Sequence, residues 1–106
     1  MHSKTNTLSL SVLRKRLGPF YAKHPIRKLE VFGSAARGEM EPKSDVDLLV
    51  TLSAPVSTSQ LLEMAGEAEE IVGAAVDFVL RSSLEQSPNR FARDHILSTA
   101  VCLHGS

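Results

Sequence analysis

The chain has 106 residues with 42% hydrophobic content, which suits one modest core and little more. Lys and Arg together number 12, as do Asp and Glu, so the formal net charge is zero and no overall basic field would attract nucleic acid. A single cysteine, Cys102, excludes an internal disulfide framework. No apolar run approaches the roughly 18–20 residues that cross a bilayer, and "MHSKTNTLSLSVLRKRLG" lacks the apolar centre of a signal peptide. A reducing, cytoplasmic setting and a single domain over residues 1–106 are expected.

Leu10, Leu13, Leu17 and Phe20 or Tyr21 recur at helical spacing. They predict an amphipathic helix that either closes at Gly18-Pro19 or runs on towards His24-Pro25. "KLEVFG" (28–33) predicts a short strand ending at glycine, with Leu29, Val31 and Gly33 alternating against Lys28, Glu30 and Phe32. A helical turn is expected inside 34–40. "DVDLLVTL" (45–52) reads as a strand whose nearly continuous apolar centre implies cover on both faces.

Ser57-Thr58-Ser59-Gln60 has capping-box spacing. Behind it Leu61, Ala65, Ala68 and Val72 form a stripe, widened by Met64 and Ile71, that Gly73 would stop. "AAVDFVL" (74–80) predicts a third strand. Ser87-Pro88 predicts an N-cap followed by proline at the first helical position, opening a helix to about Leu97. "TAVCLH" (99–104) predicts a last, edge-like strand in which Cys102 is a small buried apolar residue. The fold class is therefore α/β (α+β), a small mixed sheet of about four strands with helices packed against it. His2, His24, His95 and His104 show no metal-ligand spacing and read as surface or hydrogen-bonded groups.

The chemistry concentrates in "VFGSAARGEMEPKSDVDLLV" (31–50), where two carboxylates one residue apart open an apolar strand. A buried charge costs several kcal/mol unless it is paired, hydrogen-bonded or bound to a metal. Side chains two apart share a strand face, so Asp45 and Asp47 project together. Two such oxygen ligands suit Mg²⁺, and the competing reading is a solvated pair that caps the preceding turn. At the end of the preceding strand, Gly33-Ser34 either makes an ordinary turn or offers amide and hydroxyl donors to an anion. Phosphate donors beside a metal-binding pair suit a nucleoside triphosphate. Asp77 lies inside an apolar strand and needs a partner. Either it joins Asp45 and Asp47 in a two-metal site for nucleotidyl transfer, or it pairs with a cation such as Arg81.

Gly33-Ser34, ten intervening residues, then Asp45-Val46-Asp47 is the spacing of the polymerase-beta-like nucleotidyltransferase superfamily. With "ARG" and "SD" between, the chain resembles its minimal, MNT-type members over nearly its whole length. That resemblance implies a nucleotidyltransferase fold and Mg²⁺-dependent transfer of a nucleoside monophosphate, with two ions and ATP as substrate. It implies that Gly33 and Ser34 bind the nucleotide, and that Arg37 either joins them on the phosphates or fixes the loop. Asp45, Asp47 and Asp77 would be the metal-binding and catalytic carboxylates, Asp77 also helping to deprotonate the acceptor. Gly38 and Ser44 match as turn and cap residues, and Glu39 and Glu41 read as solvated loop charges.

In-line transfer needs an acceptor held against the α-phosphate, and the core elements use nearly all of the 106 residues. The acceptor platform is therefore expected from a second subunit or from the acceptor itself. MNT-type proteins resemble antitoxins paired with helical HEPN ribonuclease toxins. The implied activity is adenylylation of a tyrosine on a HEPN-type toxin. Two alternatives stand beside it: an antitoxin that neutralises by binding alone, and an oligomeric nucleotidyltransferase of small molecules.

Overall fold

The computed structural model describes residues 9–33, 36 and 45–105, so the turn expected inside 34–40 falls almost wholly outside them. Helix α1 (Leu10–Lys23) begins where the Ser9 hydroxyl accepts a hydrogen bond from the Val12 amide at 3.2 Å. Of the two ends the sequence left open, the later one holds, and the helix passes through Pro19. A proline inside a helix forfeits a backbone hydrogen bond and costs about 3 kcal/mol. Phe20 offsets that cost: it is fully enclosed with Leu13 and Leu17 and meets Phe78 edge-on at 6.4 Å between ring centroids. Phe20→Ala should therefore destabilise the chain by about 3–5 kcal/mol in urea unfolding. A loss below about 1 kcal/mol would mean that the turn after Pro19 adds little to the core.

Strands β1 (Ile26–Phe32) and β2 (Val46–Leu52) pair antiparallel. Strand β3 (Val76–Leu80) lies parallel to β2, and β4 (Val101–Gly105) runs antiparallel to β1 on the other side. The resulting mixed sheet has the order β3-β2-β1-β4, so β4 is the edge strand its sequence predicts. Parallel neighbours need a crossover, and α2 (Thr58–Val72) supplies it between β2 and β3. Its start and stop are those read from the sequence. The Ser57 hydroxyl accepts from the Gln60 amide at 3.1 Å, and Gly73 closes the helix in the left-handed conformation at φ 80°.

One sheet face is the main core. Leu29, Val31, Val46, Leu48 and Val50 pack there against Leu13, Leu17 and Phe20 of α1 and Met64, Ala68 and Val72 of α2. The opposite face carries a smaller cluster of Phe32, Leu49 and Leu84, flanked by Val79, Ile96 and Leu97.

Two expectations need correction on that second face. The chain makes two helices after β3, α3 (Arg81–Glu85) and α4 (Arg90–Thr99), where one was expected. The cap of α4 is Asn89, whose side chain accepts from the Ala92 amide at 3.2 Å, and Ser87-Pro88 belongs to the connection before it. Leu84, buried at 8% exposure, explains the extra helix, because it drops onto the sheet immediately after β3. The same face also encloses Glu30. It is 6% exposed, and its carboxylate accepts from Arg81 Nη1 at 3.4 Å and lies 3.7 Å from Lys28 Nζ. Cys102, expected to be buried, is only half-buried on the edge strand.

His24 meets Glu67 at 3.1 Å, and His104 bonds the Arg14 carbonyl at 2.6 Å while stacking on Tyr21. His95 is exposed and His2 lies outside the described residues, so the described histidines match their expected roles.

Candidate active site

Val46 opens β2 by donating its amide to the Ala75 carbonyl at 2.9 Å, just before β3 begins. This pins the parallel register at its first residues: Val46 faces Val76, and Asp47 faces Asp77. Register partners on neighbouring strands lie about 4.8 Å apart, so the two backbones carrying these carboxylates are immediate neighbours. On the other side Asp47 is the partner of Phe32, the last residue of β1. Asp45, Asp47 and Asp77 share the sheet face of Phe32 and Leu49, because side chains alternate along a strand. Asp47 is half-buried, and Asp45 and Asp77 are exposed.

Gly33 follows Phe32 with φ at +72°. A Cβ at this position would stand 2.5 Å from Asp47 Oδ2, so the glycine both makes the turn and leaves room for the carboxylate. Any side chain here must move Asp47 or unwind the turn. Gly33→Val should lower ATP affinity at least tenfold, about 1.4 kcal/mol, and lower the melting temperature as well. Calorimetric titration of Mg-ATP checks the first effect, and unchanged affinity would remove Gly33 from the site.

The Asp47 carboxyl is pushed above the usual aspartate range, first by burial and then by the charges of Asp77 and Asp45. Three carboxylates thus load one strand entrance with negative charge, which is the electrostatic setting a divalent cation relieves. As they stand, no group of three or more His, Cys, Asp or Glu side chains among the described residues is drawn together tightly enough to enclose an ion. The donor chemistry fits Mg²⁺, which completes its shell with water and substrate phosphate oxygens rather than with protein ligands alone.

The competing partner for Asp77 is used elsewhere. Arg81 donates from Nη1 to Glu30 and from Nε to Glu85 at 3.1 Å. Nor does Asp77 need a partner on account of burial, as the apolar sequence around it suggested. It sits on an edge strand, where water reaches its side chain. Ser34 and Arg37 lie outside the described residues.

The sequence profile of the nucleotidyltransferase domain family matches residues 12–106. The chain belongs to that family. It is an enzyme of the nucleotidyltransferase type, and its curated relatives are similar along most of their length. A candidate protein adenylyltransferase of Methanocaldococcus jannaschii is 30% identical, over 89% of this chain and 97% of its own. The protein adenylyltransferase MntA of Thermococcus cleftensis is 38% identical, over 69% of this chain and 67% of its own.

Among solved structures, a candidate minimal nucleotidyltransferase superposes with a TM-score of 0.71 at 30% identity, covering 89% of this chain and 95% of that one. A Shewanella oneidensis complex of a tri-AMPylated HEPN toxin with an MNT antitoxin superposes with a TM-score of 0.65. At 14% identity, covering 92% of this chain and 73% of that one, the likeness shows the shared fold. The mixed four-stranded sheet with flanking helices is the nucleotidyltransferase fold that the sequence resemblance implies.

Proposed function

We propose that this nucleotidyltransferase transfers AMP from Mg-ATP to a tyrosine of a HEPN-type toxin and thereby acts as an antitoxin in the cytoplasm. The observation that carries the chemical part is the register match of Asp47 with Asp77 beside Gly33. It puts a carboxylate cluster next to a turn that only glycine fits comfortably. The names of the Thermococcus and Methanocaldococcus relatives support a protein as acceptor, and the Shewanella complex supports a HEPN partner. No described helix is long and apolar enough to cross a membrane, which is compatible with action where ATP is abundant.

In the proposed reaction the acceptor hydroxyl oxygen attacks the α-phosphorus of ATP. The new O–P bond forms as the bond to the bridging α–β oxygen breaks, and pyrophosphate leaves. Asp77, exposed at the sheet edge, takes the hydroxyl proton. Asp45 and Asp47 would be ligands of the divalent cation, which would offset the charge of the triphosphate. Gly33 lets the chain approach the phosphates closely, and Ser34 and Arg37 are assigned to the same phosphates on the family pattern. Mg²⁺, held by Asp45, Asp47 and Asp77 when bound, supplies charge neutralisation for the triphosphate and acidifies the acceptor. Desolvation of Asp47 serves this arrangement, since a carboxylate already short of water is compensated by a cation.

The test is transfer of α-labelled AMP to a co-expressed HEPN-type protein in the presence of Mg²⁺. Label on a partner tyrosine, lost with the Asp47→Asn variant, is the expected result. Neutralisation of the toxin that survives Asp47→Asn, with no label transferred, would replace this reading with binding alone. Label on small acceptors without a partner would favour a small-molecule enzyme.

A further inference from the structure

A cavity of about 400 Å³ lies at the other end of the sheet, lined by Arg27, Lys28, Thr51, Leu80, Arg81 and Ser82 among others. We propose that it is a second binding site, specific for a small organic oxyanion and separate from the reacting carboxylates. Strands β2 and β3 run parallel, with Asp47 and Asp77 near their amino ends and this cavity at their carboxyl ends, Leu52 and Leu80. Thr51 is four residues along β2 from Asp47, about 13 Å at strand spacing, so an occupant would not touch the transferred phosphate. The volume lies within the range of small-molecule pockets.

The charges select the occupant. Arg27, Lys28 and Arg81 contribute three cations to the rim, against two carboxylates, Glu85 on the rim and Glu30 beneath it. Both acids are already engaged by Arg81, at 3.1 Å for Glu85 and 3.4 Å for Glu30. A cationic ligand would meet net positive charge, whereas an oxyanion would be attracted to it.

The wall narrows the choice further. Leu52 and Leu80 give the same cavity an apolar side, which suits an anion with an organic body over a bare ion.

Nitrogen-15-labelled protein, without Mg²⁺ or nucleotide, would be titrated with phenyl phosphate and with inorganic phosphate, using sodium chloride at matched ionic strength as control. Saturable amide shifts are expected at Lys28, Thr51, Leu80 and Ser82, exceeding those at Gly33, Asp47 and Asp77. Phenyl phosphate should bind the tighter of the two. Arg27 is exposed, so Arg27→Gln should leave the melting temperature close to wild type while weakening phenyl phosphate at least fivefold. An Arg27→Gln protein of full stability and unchanged affinity would overturn the proposal. So would shifts reproduced by sodium chloride, shifts centred on Asp47, or equal affinity for the two phosphates.

Discussion

Asp47→Asn is expected to cut AMP transfer by about a thousandfold or more, roughly 4 kcal/mol of barrier, while leaving the metal-free protein as stable as wild type or more stable. The substitution conserves shape and removes the charge closest to the centre of the carboxylate cluster. The stability half follows from proton linkage. In the folded chain Asp47 holds its proton to higher pH than in the unfolded chain, because it is partly desolvated and faces Asp77 and Asp45. A group with a raised folded pKa contributes stability at pH below its unfolded value, and that contribution is lost as pH rises through the folded value. Wild-type protein without metal should therefore lose stability from the ordinary aspartate range upward, and Asp47→Asn should lack that loss. Saturating Mg²⁺ should stabilise wild type and have little effect on the variant. Melting curves across pH, with and without Mg²⁺, test both statements. Near-wild-type metal-dependent transfer by the variant would exclude Asp47 as a metal ligand.

Asp77→Asn should behave differently. Its loss should fall on the transfer rate, by about a hundredfold or more, with Mg-ATP affinity largely retained through Asp45, Asp47 and the Gly33 turn. The melting temperature should stay close to wild type, because Asp77 is exposed and Arg81 is committed to Glu30 and Glu85. Single-turnover transfer, ATP titration and thermal unfolding on this one variant separate catalysis from scaffolding. A destabilised variant whose folded fraction transfers AMP normally would make Asp77 a structural residue.

The carboxylates and Gly33 were legible because each breaks a local rule. Asp45 and Asp47 interrupt the entrance to an apolar strand, Asp77 stands in "AAVDFVL", and a glycine ends an apolar run. Glu30 and Arg81 were not legible. In "KLEVF" Glu30 occupies an ordinary solvent-facing position of an alternating strand, and nothing local shows that α3 covers that face. The Ser87-Pro88 signal was equally persuasive and lost to Asn89, whose side chain meets the Ala92 amide.

By itself, then, the sequence determined the periodic elements, the caps of α2, and the residue types that suit phosphate and Mg²⁺, because these depend on neighbours a few positions away. Tertiary structure decided which carboxylates meet. Asp47 and Asp77 are 30 positions apart in the chain. They become neighbours only because α2 returns the chain parallel to β2, and the Val46–Ala75 hydrogen bond sets the register. It also decided that Gly33 spares Asp47 a clash at 2.5 Å, and that Arg81 turns to a buried Glu30 instead of to Asp77. Pairing across a sheet and burial beneath a helix are properties of distant segments brought together, which no local spacing encodes.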